Sequence, residues 1–298
     1  MPRTIRLILF TILLLGAFWA PLKSLVEFSL QNESASHILL IPVVSLFLLV
    51  SGRARIFTNV RTDLLAGLSL LLAGLVAGWF AHRQLAALGQ QDYLSATTVS
   101  LLLAWLGLFL LCYGTRSFRA AFFPLLFLLL MIPIPQSLLA SAILFLQKGS
   151  TSFAYHLFKL CRVPVYRDGF LLSLPGITIE VAQECSGIRS SLALFITALL
   201  AGHLYLRRVW TKAVLCSTIV PLVIVKNGLR IAALTLLSLY VDRGFLFGRL
   251  HHEGGVVFFL LALGIEVPIL WLLWRVESPR RNGAVVDRLQ STGHSTGA

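Results

Sequence analysis

The chain has 298 residues, 57% of them hydrophobic and 12% charged, where a soluble domain carries about 25% charged residues. A water-soluble enzyme is excluded, and an all-α polytopic membrane protein with about eight transmembrane helices is predicted. The net charge of +13 is laid out in short Lys/Arg clusters between apolar runs, the pattern of membrane topology and of a phospholipid partner, not of nucleic-acid binding.

In chain order, Arg3 and Arg6 lead into an apolar run over residues 1–22 that ends in Trp19 and Pro21. This stretch resembles a signal peptide without a small-x-small cleavage site, so it is read as a retained first helix. Residues 23–37 read as a polar loop. Residues 38–50 read as a short second span that borrows flanking residues to reach about 20. Spans three, four and five cover residues 64–81, 94–113 and 120–134, the last ending in Pro133-Ile134-Pro135. Alternate loops carry Arg3/Arg6, Arg53/Arg55/Arg61, Arg116/Arg119, Arg207/Arg208/Lys212 and Arg275/Arg280/Arg281. The positive-inside rule puts all of these in the cytoplasm, which works with eight spans and both termini inside.

Residues 136–187 form the one substantial outer segment. Its first half reads as an outward-facing amphipathic helix, with Lys148, Ser152, Tyr155 and Lys159 on one face and Phe153, Leu157 and Phe158 away from it. Its second half reads as a small β-meander: residues 163–166, an Asp168-Gly169 turn, residues 170–174, a Pro175-Gly176 turn, then alternating residues 177–181. Span six follows over residues 188–206. Span seven starts near Ala213 and reaches the outer interface at residues 227–230. The apolar run continues to Tyr240, longer than one span, which implies a break or a tilt. A loop at residues 241–250 leads to His251 and His252, and span eight covers residues 256–274. The polar stretch 277–298 is expected to be a disordered cytoplasmic tail, so that residues 1–276 form one membrane-embedded domain.

Glu184-Cys185-Ser186-Gly187 joins the meander to span six. The junction sets Cys185 at the lip of the bilayer beside a helix N-terminus, whose N–H groups and dipole lower a thiol's pKa. Cys185 is therefore read as a nucleophile. The other cysteines, Cys112, Cys161 and Cys216, have no metal-type spacing with it, and Cys112 and Cys216 lie inside apolar runs as small hydrophobes. The loop charges alone bring Cys185, Asn227, Arg230, His251 and His252 to the outer face. A thiol, a fixed cation and an imidazole are what acyl transfer needs. An arginine in or near a span is costly and commonly functional; the plainer reading of Arg230, and still more of Arg189, is snorkelling to lipid headgroups. His203 lies eighteen positions along the same helix from Cys185, about 27 Å at ~1.5 Å per residue, at the wrong end.

Three motifs in this order resemble the exosortases of the exosortase/archaeosortase family. They are Glu184-Cys185-Ser186-Gly187-Ile188-Arg189-Ser190, then Asn227-Gly228-Leu229-Arg230-Ile231, then His251 with Gly255 four residues later and Phe258-Phe259 beyond. The glycine spacing favours His251 over His252, and the similarity covers about residues 133–263. The resemblance implies a cysteine peptidase or transpeptidase in a bacterial inner membrane, active on its outer, periplasmic face in cells that make exopolysaccharide. Its substrates are secreted proteins with a C-terminal sorting tail: a Pro-Glu-Pro-like (PEP-CTERM-like) motif, a transmembrane helix and a basic end. Cys185, Arg230 and His251 become the catalytic set, with Asn227, Glu184, His252 and Arg189 in support. If the motif carries a glutamate, Arg189 is expected to anchor it while Glu184 opposes it. No metal or organic cofactor is implied. The competing reading is a small transporter or lipid-handling protein that binds an anionic group at an outer Arg/His/Cys cluster; paired repeats of broken helices would favour it.

Overall fold

The structure, a computed structural model, describes residues 2–58, 60–84, 89–242 and 255–278. The fold is mostly helical with one small antiparallel sheet, and it makes the protein multi-pass. Six helices are long and apolar enough to cross a membrane, and up to eight spans result if each of two bent pairs counts as one. In order they follow the spans read from the sequence, except that the fifth qualifies only together with residues 136–160, which the sequence reading sets outside the membrane. The chain divides into two compact units, Met1–Ala140 and Ser141–Ala298.

In the first unit, α1 (Arg3–Ala17) breaks at Phe18 and turns by 79° into α2 (Trp19–Gln31). This corrects the polar loop expected at residues 23–37. The polar residues there are spaced one helical turn apart, with Lys23 and Glu27 paired at 3.8 Å on an exposed face while Leu25 and Ser29 are buried. A 3₁₀ turn (Glu33–Ala35) leads to α3 (Leu40–Ser51) and the short α4 (Arg53–Ile56). Then α5 (Leu64–Gln84) packs along α6 (Gln90–Ala120) through glycines. A Cβ on Gly74 would stand 2.4 Å from the Ala104 nitrogen, and one on Gly107 would stand 2.4 Å from that of Leu71. Only a missing side chain permits that backbone approach. Near its end α6 kinks at Gly114 (φ 77°), where a Cβ would fall 1.5 Å from the Arg61 carbonyl oxygen.

Next, α7 (Phe122–Phe127) and a 3₁₀ turn (Leu128–Met131) fill the place of span five. That stretch is too short to cross alone, because ten residues rise about 15 Å; it passes as a span only together with α8 (Gln136–Leu160), from which a bend separates it. The proline link between them is held by α6, where Gln91 donates to the Ile134 carbonyl, Ser95 donates to that of Pro133 at 2.7 Å and Asp92 accepts from the Gln136 N–H at 2.8 Å.

The second unit takes most of α8, whose exposed face carries Lys148 and Lys159 as expected; the Lys159 ammonium lies 4.5 Å over the Tyr155 ring. The meander follows: β1 (Tyr166–Asp168), β2 (Leu171–Leu174) and β3 (Ile177–Glu180) pair antiparallel in that order, with Leu172 opposite Ile179. Gly169 and Gly176 sit at positive φ in its two turns, as the Asp-Gly and Pro-Gly pairs predict. Leu172, Leu174, Ile179 and Val181 are buried against Ala154 and Phe158 of α8.

Three helices complete this unit: α9 (Ile188–Tyr205), α10 (Val209–Tyr240) and α11 (Gly255–Glu277). Leu194 and Ala198 of α9, Leu215, Ile219 and Val223 of α10 and Ala262 of α11 form their common core. At one end the Glu277 carboxylate accepts from the backbone N–H groups of Arg207 (2.8 Å) and Arg208 (3.0 Å) and from the Thr211 hydroxyl, which ties the end of α11 to the start of α10. Helix α10 is one helix of 32 residues containing Pro221, not a broken span. At ~1.5 Å per residue it is about 48 Å long, against a hydrocarbon core of about 30 Å. Its excess is used: Ala232, with Ile231, Leu236 and Leu239, covers the sheet and α8. Beyond Ser278, the expected tail lies outside the described residues.

Candidate active site

The site grows out of the last strand. Val181 donates its N–H to the Phe170 carbonyl at 3.0 Å, and its own carbonyl accepts from the buried Gln147 amide of α8. The chain is thus fastened from both sides one residue after it leaves the sheet. A 3₁₀ turn, Gln183–Ser186, carries the backbone of Glu184 and Cys185. Gly187 then takes the left-handed conformation (φ 79°, ψ 15°) and caps α9, which starts at Ile188. Cys185 therefore stands three residues ahead of a helix start, as expected from the sequence. The Gly187 carbonyl accepts twice, from the Ser191 N–H and from the Ser190 hydroxyl, each at 2.9 Å. Ser186 is fully buried, and its hydroxyl has no hydrogen-bond partner among the described residues.

Opposite this turn stands the middle of α10. A Cβ added to Gly187 would meet the Asn227 side chain at 3.4–3.5 Å. Asn227, 1% exposed, thus packs directly on the turn. The next residue, Gly228, meets α8: a Cβ there would lie 2.6 Å from the Phe153 ring. Asn227 thus lies at ordinary contact distance from the Cys185 turn, while the absence of a side chain at Gly228 lets α8 close on α10. The Cys-Ser-Gly and Asn-x-x-Arg segments, forty residues apart in sequence, meet here. Arg230, half-buried, follows Asn227 by three residues on the same helix face.

The residue that the sequence reading passed over is Lys226. It is 4% exposed, and its ammonium donates to the Ser190 hydroxyl in the first turn of α9. The signal for it was available, since a lysine inside an apolar run is costly and marks function. Arg230 adds its positive field to that of Lys226, and the start of α9 contributes the positive end of its dipole. This end of the bundle is therefore strongly suited to an anion.

The remaining expected residues are placed as follows. Arg189 is exposed on the first turn of α9. His203 lies in the last turn of α9, at the opposite end. His251 and His252 lie outside the described residues. The helix that follows them, α11, runs parallel to α9, since its last residue, Glu277, closes on Arg207 and Arg208, just beyond the C-terminal end of α9. It therefore begins at the Cys185 end of the bundle. Cys112 is buried and Cys216 half-buried among apolar neighbours, whereas Cys161 is exposed beyond α8.

A family model described as transmembrane exosortase (Exosortase_EpsH) matches residues 19–267. No curated protein and no solved structure matches the chain.

Proposed function

The chain belongs to the transmembrane exosortase family, and on that premise we propose that Cys185, Arg230 and His251 cleave C-terminal sorting tails through a thioester. Membership makes the protein a membrane enzyme that processes sorting signals of secreted proteins, in a family considered to be cysteine transpeptidases. The finer reading follows from chemistry. The Cys185 thiolate adds to the carbonyl carbon of the peptide bond beside a PEP-CTERM-like motif. Arg230, with two guanidinium donors on one plane, stabilises the oxyanion. The C–N bond breaks and His251 gives its proton to the leaving amine. Water or an acceptor amine then loses a proton to His251 and attacks the thioester, which releases the thiolate. Asn227 holds the turn that presents Cys185, and Arg189, exposed beside it, is positioned to meet a substrate carboxylate. The site faces the periplasm and both termini the cytoplasm, by the loop charges.

The observation that carries this reading is the packing of Asn227 on Gly187, which brings two distant motifs to one turn beside the nucleophile. The test is mass spectrometry of a C-terminally tagged secreted protein from cells with and without the chain. Cleavage is expected with the wild type and with Cys112→Ala, Cys161→Ala and Cys216→Ala, and is expected to be lost in Cys185→Ala. Undiminished cleavage in Cys185→Ala rules out thiol catalysis.

A further inference from the structure

Strand β3 has one edge on β2 and one edge open. The Pro175-Gly176 turn sets Leu174 opposite Ile177 and Leu172 opposite Ile179, and the Val181 N–H continues the ladder onto the Phe170 carbonyl at 3.0 Å. In an antiparallel ladder, residues that bond the neighbouring strand alternate with residues whose N–H and C=O point away from it. Ile177, Ile179 and Val181 therefore face β2, and Thr178 and Glu180 turn their backbone groups to the outer edge. There the Glu180 carbonyl takes the Ala182 N–H at 3.1 Å. The Thr178 N–H, the Thr178 carbonyl and the Glu180 N–H have no partner among the described residues. Thr178 and Glu180 are exposed, while Ile179 between them is buried. The opposite edge of the sheet offers less. β1 has three residues, only Arg167 points its backbone outward, and Pro164 stands just before the strand. Edge strands are commonly blunted by lysine, proline or a bulge. β3, Ile177-Thr178-Ile179-Glu180, has none of these and pairs with β2 in unbroken register.

We infer that the outer edge of β3 docks the substrate: an extended segment of the secreted protein, next to the bond to be cut, adds to the sheet as a fourth strand through Thr178 and Glu180. The inference rests on the proposed function and names how that site holds its substrate. Two observations select the occupant. Donor, acceptor and donor at strand spacing are satisfied together by another extended backbone, and a strand laid along β3 in either direction bonds all three. The edge is also continuous with the candidate active site, because β3 leads into the 3₁₀ turn Gln183–Ser186 and Glu180 stands five residues before Cys185. A peptide on this edge is thus drawn out straight beside the turn that carries the nucleophile. Main-chain pairing reads extension and not side chains, so one edge serves secreted proteins of different sequence.

The experiment uses the full chain carrying Cys185→Ala, so that the tail binds without being cut, and the tagged secreted protein whose cleavage tests the proposed function. Amide hydrogen exchange is followed by mass spectrometry over residues 176–182. Without the secreted protein, the Thr178 and Glu180 amides are expected to exchange fast and those of Ile177, Ile179 and Val181 slowly. With it bound, Thr178 and Glu180 are expected to slow by about tenfold or more. Thr178→Pro removes one edge donor and leaves the β2 ladder intact, because that N–H points outward. It is expected to weaken binding of the secreted protein by about tenfold. Arg167→Pro, the same change on the other edge, is expected to leave binding unchanged. Fast exchange at Thr178 and Glu180 with the secreted protein bound overturns the inference, and this reading stands even if Thr178→Pro fails to accumulate. Protection of the same amides without the secreted protein, rising with the concentration of the chain, shows the edge paired to a second copy and overturns it as well. The two proposals fail separately. Cleavage that survives Cys185→Ala defeats the thioester and leaves a protected edge standing, whereas a tail that binds and is cut with the edge unprotected defeats the docking edge alone.

Discussion

Gly187 and Gly114 share a positive φ of nearly the same size, 79° and 77°, yet they are glycines for different reasons. At Gly114 there is no room, since a Cβ would overlap the Arg61 carbonyl oxygen at 1.5 Å. At Gly187 the nearest atom to a Cβ is 3.4 Å away, ordinary contact distance, so the backbone conformation alone carries the cost. For an L-residue that cost is about 1 kcal/mol. Gly187→Ala is therefore expected to fold, to lose about 1 kcal/mol of stability, and to lose more in turnover than in stability because the turn presents Cys185. Gly187→Asn, which tolerates the left-handed region, is expected to be milder. Thermal melts in detergent beside cleavage rates check both; equal turnover in wild type and Gly187→Ala would detach the turn geometry from catalysis. Residue by residue, the site was only partly legible. Cys185, Asn227 and Arg230 stand out in the sequence because they are polar residues at a span edge, set against apolar surroundings. Lys226 was missed because it was counted with the apolar run, and Ser190 and Gln147 because a buried polar contact is made by packing, which no local pattern encodes.

Among the elements, the meander was read nearly residue for residue. Its turns are made by local chemistry, Asp168-Gly169 and Pro175-Gly176, and alternation sets which side chains face inward. The breaks in the helices were less legible. Pro21 looked like the end of a span, but it lies in the first turn of α2, where a proline is tolerated because its missing N–H has no partner to lose. The excess length of α10 was visible as an over-long apolar run, but the partner that buries it, the sheet, is distant in sequence. That packing also supports the site, since Val181 belongs to the same cluster as Phe158 and lies two residues before the turn that carries Cys185. Phe158 is fully buried, and Phe158→Ala is expected to cost about 3–5 kcal/mol through lost contact and a residual cavity. Heat unfolding in detergent measures the loss, and a change under about 1 kcal/mol would show that the sheet is not braced by α8.

For the whole molecule, the proposed orientation makes a direct prediction. Reporters fused after Gly114 or Arg208 are expected to read cytoplasm, and those fused at Gly149 or Gly169 to read outside. If the Gly149 and Arg208 fusions read the same side, the placement of Cys185 at the outer face fails. The multi-span character, six helices and up to eight spans, was legible because hydropathy and loop charge are additive along the chain, whereas the bends within the first and fifth candidates depend on contacts between elements.

The kink at Gly114 has a further effect on charge. By laying the α6 backbone against the Arg61 carbonyl, it brings the end of α6, with Arg116 and Arg119, to the stretch from α4 to Arg61 that carries Arg53, Arg55 and Arg61. Arg3 joins them, since its guanidinium donates to the Val60 carbonyl at 3.2 Å. Three basic segments are thereby gathered at one exposed end, where like charges within about 8 Å of each other would be only partly screened by salt. An anionic leaflet offers a sheet of phosphates to that rim and cancels the repulsion. Lipid phosphate would in this sense act as a counter-ion to the fold, one that a neutral detergent does not supply.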